Sequence, residues 1–238
     1  PWPSALVFGV LIAATDPVAV IAMFKDTGVV GRLRLLVESE SLLNDGVAAV
    51  FFAVVLAWAL ATGGEPVTTA SVARGLALTV GGGVLTGIAC GGAAILLTGR
   101  TGDYLVETAL TTAAAYGSFL LAEHLHVSGV LAVVAAGLVM GNLGVLCKDE
   151  EANPLTQRGR AFVLDFWEFT AFLANSLIFL LIGLRAAAIP FATLGMAALL
   201  VAVVLVIIGR ALAVYPLCLP FVRSRWAVPL RQQHVLWW

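Results

Sequence analysis

Four ionisable residues, Asp16, Glu40, Asp45 and Arg210, stand inside or at the head of otherwise apolar stretches of the chain. A charge at the centre of a bilayer costs about 3 kcal/mol even on lenient insertion scales, so each needs a chemical reason. Asp16 lies in LIAATDPVAVIAMF, where Pro17 removes a backbone donor and disfavours helix at the residue before it. A break is therefore expected at Thr15–Asp16–Pro17. At mid-membrane such a break presents helix-end carbonyls beside a carboxylate, which suits a monovalent cation. The plainer reading is a proline kink whose following half-helix Asp16 caps. That reading explains Pro17 but not a carboxylate at this depth.

Asp45 closes the run ESESLLNDG. On a helix it sits one turn beyond Ser41, with Asn44 and Glu40 forming the adjacent stripe. A hydroxyl, an amide and a carboxylate thus converge within five residues, all oxygen donors fitted to a hard cation. No His or Cys stands nearby, which argues against a transition metal. A carboxylate buried in an apolar medium favours its protonated form, and a bound cation reverses that preference. Competition between cation and proton for one such site is enough to make an exchanger. Arg210, in VVLVIIGRALAVYPL, either snorkels toward the interface or forms a buried ion pair, with Glu40 the favoured partner. Glu38 reads as a helix-start residue, and Asp165, Glu168 and Glu107 as solvated or helix-start groups. Asn175 and Ser176 read as interhelical hydrogen-bond donors and acceptors, and Glu123, His124 and His126 as an ordinary polar connector.

The elements that position these residues follow from hydropathy. Of 238 residues 61% are hydrophobic and 11% charged, and the mean hydropathy is +1.03, which describes an integral membrane protein. A net charge of −1 leaves no basic face for nucleic acid. Segments near 4–24, 38–62, 71–98, 104–123, 127–147, 161–184 and 190–217 are long and apolar enough to cross a bilayer, about seven spans in all. They lack the alternation of a membrane barrel, so the fold expected is all-α, a multi-span helical bundle. Connectors after the first, third, fifth and seventh spans hold Lys25, Arg32, Arg34, Arg100, Lys148, Arg158, Arg160, Arg223, Arg225 and Arg231. The other connectors hold only Arg74 and Arg185, so ten basic residues against two place the first set of loops in the cytoplasm. The stretch GGGVLTGIACGGAA predicts close helix packing through small residues. Cys90, Cys147 and Cys218 stand singly in apolar runs and read as small hydrophobes. No HExxH, GxSxG or nucleotide-binding loop is present, so no enzyme is indicated. A channel would favour a continuous polar pore, whereas the acidic residues here cluster on two neighbouring segments. The start at PWPSALVFG and the end at HVLWW are those expected of a fragment of a longer protein.

ATDPVAVIAMFKDTGVVGRLRLLVESESLLNDG resembles the paired signature of the monovalent cation/proton antiporters, the sodium/proton exchanger family. SGVLAVVAAGLVMGN, WEFTAFLANSLIFLLIG and GRALAVYPL resemble later helices of that family in the same order. The resemblance implies that Asp45 binds the ion and carries the proton, preceded by the Asn44 of the electroneutral branch, with one cation per proton. Asp16, the backbone of Thr15 and the hydroxyl of Ser41 would complete the cation shell, and Glu40 with Arg210 would match a buried structural ion pair. It further implies an antiporter fold of two bundles, usually dimeric. Here 1–62 would be core helices, 63–189 scaffold helices, and 190–238 a core helix with Arg210 and the start of the next. The family's first and last helices would then be missing, and the 238 residues alone would not transport. The implied activity is sodium/proton exchange by alternating access in a cell membrane, with the lipid bilayer as partner, the ions as substrates and no cofactor. Potassium or lithium in place of sodium, or a non-transporting sensor or scaffold, are the alternatives.

Overall fold

A computed structural model describes residues 2–29, 31–60, 69–147, 153–190, 195–224 and 226–237, with backbone only at Lys25, Thr69, Ser71, Val72, Met196 and Ala198. The described residues form α1 (Trp2–Leu11), α2 (Val18–Thr27), α3 (Arg32–Leu60), α4 (Thr69–Thr98), α5 (Tyr104–His124), α6 (Gly129–Met140), α7 (Gln157–Ala187), α8 (Met196–Cys218) and α9 (Leu230–Trp237). A π-helical turn, Gly141–Val145, follows α6, and a 3-10 turn, Leu219–Phe221, follows α8. No strand occurs among the described residues.

Five of these helices are long and apolar enough to cross a membrane: Arg32–Leu60, Ala73–Thr98, Tyr104–His124, Gln157–Ala187 and Leu199–Phe221. The expected first span is two half-helices, α1 and α2, with residues 12–17 between them. The sixth element, Gly129–Val145, is a shorter apolar helix. At 1.5 Å per residue the 29 residues of α3 reach about 44 Å, against a hydrocarbon core of about 30 Å. Its carboxyl-terminal half is apolar, so the excess belongs to the charged first turns. That explains why α3 starts at Arg32, six residues before the apolar stretch read from the sequence. The stretch PFVRSRWAVPLRQQ, expected as a connector, turns helical at Leu230. Pro229 begins that helix, its carbonyl accepting from the amides of Gln232 and Gln233 at 2.8 and 3.0 Å. The connector at 62–69, the basic Lys148 and Arg225, and the start of the last expected span at 191–194 fall wholly or largely outside the described residues.

The chain divides into two compact units, residues 1–15 with 42–177, and residues 16–41 with 178–238. The first is built on α4, α5 and α6. Gly82, Gly83, Gly87 and Gly91 let α4 lie against α6, and a Cβ at Gly87 would come within 2.1 Å of the Ala132 carbonyl oxygen. Ala94, Ala114 and Met140 form a buried core, with Ile95 packed against it. Small side chains here substitute backbone proximity for bulk, as membrane helix interfaces do. Asp103 caps α5 by accepting from the Leu105 amide at 2.8 Å, and Ser128 caps α6 by accepting from the Leu131 amide at 3.2 Å.

Glu107 stands in the first turn of α5, one of the two placements expected, but it is not solvated. It is fully buried, and its carboxylate accepts from the Thr156 amide (3.2 and 3.3 Å) and the Thr156 hydroxyl (3.0 Å). The Thr156 hydroxyl accepts in turn from the Gly159 amide at 3.0 Å, so a carboxylate of α5 sits over the amino-terminal end of α7. That is where a helix dipole favours negative charge.

In the second unit α2 ends at Gly28, whose φ of +70° places it in the left-handed region. Val29 then donates to the Phe24 carbonyl at 2.9 Å, closing the helix by a Schellman turn. Gly31, with φ +88°, turns the chain into α3.

Candidate functional site

Residues 14–17 lie in neither α1 nor α2, as the Asp-Pro pair dictates. Asp16 caps α2, its Oδ1 accepting from the Val18 amide at 3.0 Å. The plainer role foreseen for it is therefore present. Capping uses one carboxylate oxygen, and the side chain is exposed.

The half-buried Asn44 of α3 reaches the same break. Its Nδ2 donates to the Ala13 carbonyl and, at 3.3 Å, to the Thr15 hydroxyl. Those bonds commit the amide nitrogen to fixing the end of α1, so Oδ1 is the Asn44 atom that could face a cation. Asn44, Ala13 and Thr15 are thus brought together across about thirty residues of chain. Ser41 and Asp45 stand one turn apart on the continuous helix α3, Ser41 buried and Asp45 exposed. Thr15, Glu40, Ser41 and Asp45 all have interaction partners.

Arg210, half-buried in α8, directs its guanidinium at the end of α9. Nε donates to the Trp237 carbonyl at 3.0 Å and Nη2 to the Leu236 carbonyl at 2.6 Å. A cation at a helix carboxyl terminus is favoured by the dipole and serves carbonyls that have no helical partner. The sequence held no sign of this contact: residues 230–233 read as the end of a connector, and the expected start of a further helix carried no indication of a partner. Trp237 Nε1 donates back to the Ile207 carbonyl at 3.0 Å, and the Tyr215 hydroxyl hydrogen-bonds His234 Nδ1.

Within the first unit the structure brings together the Thr15 hydroxyl and the Asn44 side chain, whose Oδ1 is not used in these bonds.

The chain is 39% identical over 99% of its length to the Na(+)/H(+) antiporter ApNhaP of Aphanothece halophytica, covering 44% of that protein. It is 36% identical over 98% of its length to the Na(+)/H(+) antiporter NhaP of Pseudomonas aeruginosa, covering 54% of it. Over 76% of its length it is 35% identical to sodium/hydrogen exchanger 7 of Arabidopsis thaliana, of which it covers 15%. The chain therefore spans about half the length of the bacterial relatives it matches. The family described as sodium/hydrogen exchanger, transmembrane, matches residues 1–238 throughout, and with a helix broken at Asp16–Pro17 and an Asn44–Asp45 pair on the next helix, the chain belongs to that family of integral membrane transporters.

Proposed function

We propose that this chain carries the ion-binding part of a secondary transporter that exchanges sodium for protons by alternating access, one for one. The observation that carries the reading is the grip of Asn44 on Ala13 and Thr15, which holds an unwound, oxygen-lined break against the helix of Asp45. The relatives named as sodium/proton antiporters support the same reading. In it Asp45 carries the proton and binds the cation, with Asp16, Thr15, Ser41 and the Asn44 carbonyl oxygen as further ligands. Arriving cation displaces the proton and departing cation readmits it, so occupancy couples the two fluxes.

Arg210 also pairs with Glu40 in this proposal. A guanidinium has five N–H donors, and the α9 carbonyls engage two of its nitrogens, which leaves capacity for a carboxylate. Residues 1–62 and 190–238 would form the moving core and 63–189 the scaffold, in a homodimer. The loops after the first, third, fifth and seventh spans would face the cytoplasm.

The test uses the full-length parent in everted vesicles carrying a pH gradient, with sodium, potassium and lithium added in turn. Sodium is expected to collapse the gradient in the parent and to leave it intact with Asp45→Asn. A response to potassium or lithium instead reassigns the ion. No response to any cation from folded, inserted protein refutes exchange and favours a sensor or scaffold.

A further inference from the structure

Arg32 opens α3 at the end of a helix where a cation is least welcome. The first turn of α3 has no acidic residue, and a helix amino terminus carries the equivalent of roughly half a positive charge. Arg34, two residues on, is compensated by Glu38, with Nε to Oε1 at 2.7 Å. Arg32 finds its partners 194 and 195 residues away. Its Nη2 donates to the Trp226 carbonyl at 2.7 Å and its Nη1 to the Ala227 carbonyl at 3.0 Å. Both carbonyls lie in the turn that leads into α9. A planar guanidinium that grips two successive carbonyls fixes direction as well as distance, which an ammonium does not.

The other end of the same segment is held in the same manner. Arg210 donates to the carbonyls of Leu236 and Trp237, and the Trp237 indole returns a bond to α8 at Ile207. Residues 226–237 are thus clasped at both ends by arginines that read backbone oxygens, one arginine from the head of α3 and one from α8. The grip does not depend on which side chains stand at 226, 227, 236 and 237. The helix dipole disfavours Arg32 where it stands, and the count of basic loop residues calls for a cation but not for a guanidinium; the two-carbonyl grip accounts for that choice.

We infer that Arg32 is a positioning residue for transport: it ties the turn before α9 to the head of α3, so that α9, α8 and the first turns of α3 shift as one piece during alternating access. The inference rests on the exchange reading above. A ligand-bearing helix whose head is tied to α9 carries α9 with it, and a loosened tie lets the two fall out of step. Cation affinity, set by other residues, is then left alone while turnover suffers.

The experiment uses the full-length parent with its native cysteines replaced, carrying Arg32→Cys together with Ala227→Cys. A short bis-thiosulfonate then spans the gap left by the arginine side chain. Bridging is expected to go to completion both with sodium and at low pH. Sodium-driven collapse of a pH gradient by the bridged protein should recover to within about twofold of the protein that keeps Arg32, since the bridge restores the tie and rigidly joined parts do not need to separate. Bridging that abolishes transport until a reductant restores it overturns the proposal, because the parts then move against each other. Failure to bridge overturns it as well. Separately, Arg32→Ala should lower maximal rate about fivefold with KM for sodium within about twofold, and Arg32→Lys should recover only part of the rate. An unchanged rate in Arg32→Ala, or a loss confined to KM, counts against it. If the parent moves none of the three cations, exchange fails, and bridging yield read on a gel still decides whether the head of α3 lies against this turn.

Discussion

Asn44→Ala isolates the contact on which the site is built. It removes the bond to the Ala13 carbonyl and the 3.3 Å bond to the Thr15 hydroxyl while leaving Asp45, Ser41 and Asp16 in the sequence. A net intramolecular hydrogen bond contributes about 0.5–1.5 kcal/mol, and bonds between membrane helices average about 0.6 kcal/mol. Two of them give about 1–3 kcal/mol, with the lower half favoured because Asn44 is only half-buried. If the cation binds only the held conformation of the break, apparent affinity falls by the fraction that remains held. A loss of about 1.4 kcal/mol corresponds to a tenfold rise in KM for sodium. Maximal rate should change by less, because saturating sodium restores the held conformation. Asn44→Asp is the sharper variant, since it replaces both donor hydrogens with an acceptor facing the Ala13 carbonyl. It should raise KM at least as far as alanine does, unless it takes up a proton and donates through its hydroxyl. The assay is sodium titration of the full-length parent and both variants in vesicles, with rates normalised to folded protein measured by size exclusion. A KM within about twofold of the parent for Asn44→Ala, at equal folded amount, refutes the idea that this amide holds the site together.

The scaffold makes two further predictions, both read as thermal midpoints of the full-length protein in detergent. Glu107→Ala leaves the amide and hydroxyl of the half-buried Thr156 without their acceptor and should cost about 2 kcal/mol, with Glu107→Gln costing less because one oxygen can still accept. Equal midpoints for parent and Glu107→Ala would show that the α5–α7 contact is dispensable. Gly87→Ala should cost about 1–3 kcal/mol, because its Cβ would meet the backbone oxygen of Ala132. Gly92→Ala, with open space around its position, should be neutral or slightly stabilising, and the reverse order would refute the packing argument.

Much of this architecture follows from rules that act within a few residues of chain. Apolar runs long enough to span a bilayer, without strand alternation, dictate helices, because lipid offers the backbone no other partner. Pro17 removes an amide hydrogen, so the break between Leu11 and Val18 and the capping role of Asp16 are local consequences of TDP. The glycines of α4 announce a close neighbour before that neighbour is known. The motif pair around Asp16 and Asp45 carries the family.

Tertiary structure decided the partners. The amide of Asn44 meets residues 29 and 31 positions away, and Glu107 meets Thr156 across 49. Neither pairing leaves a periodic trace, since a buried carboxylate and a solvated one read alike along the chain. Arg210 could be assigned a carboxylate from the charges available, but not the end of α9, because a helix of eight residues is too short to register as a span. Arg32 is the extreme case, in which helix electrostatics argue against the residue and its hydrogen-bond partner lies in a turn 194 residues later. Hydropathy and proline fix what each stretch becomes through short-range sterics and solvation; hydrogen bonds between distant stretches exist only once packing has brought donor and acceptor within about 3 Å.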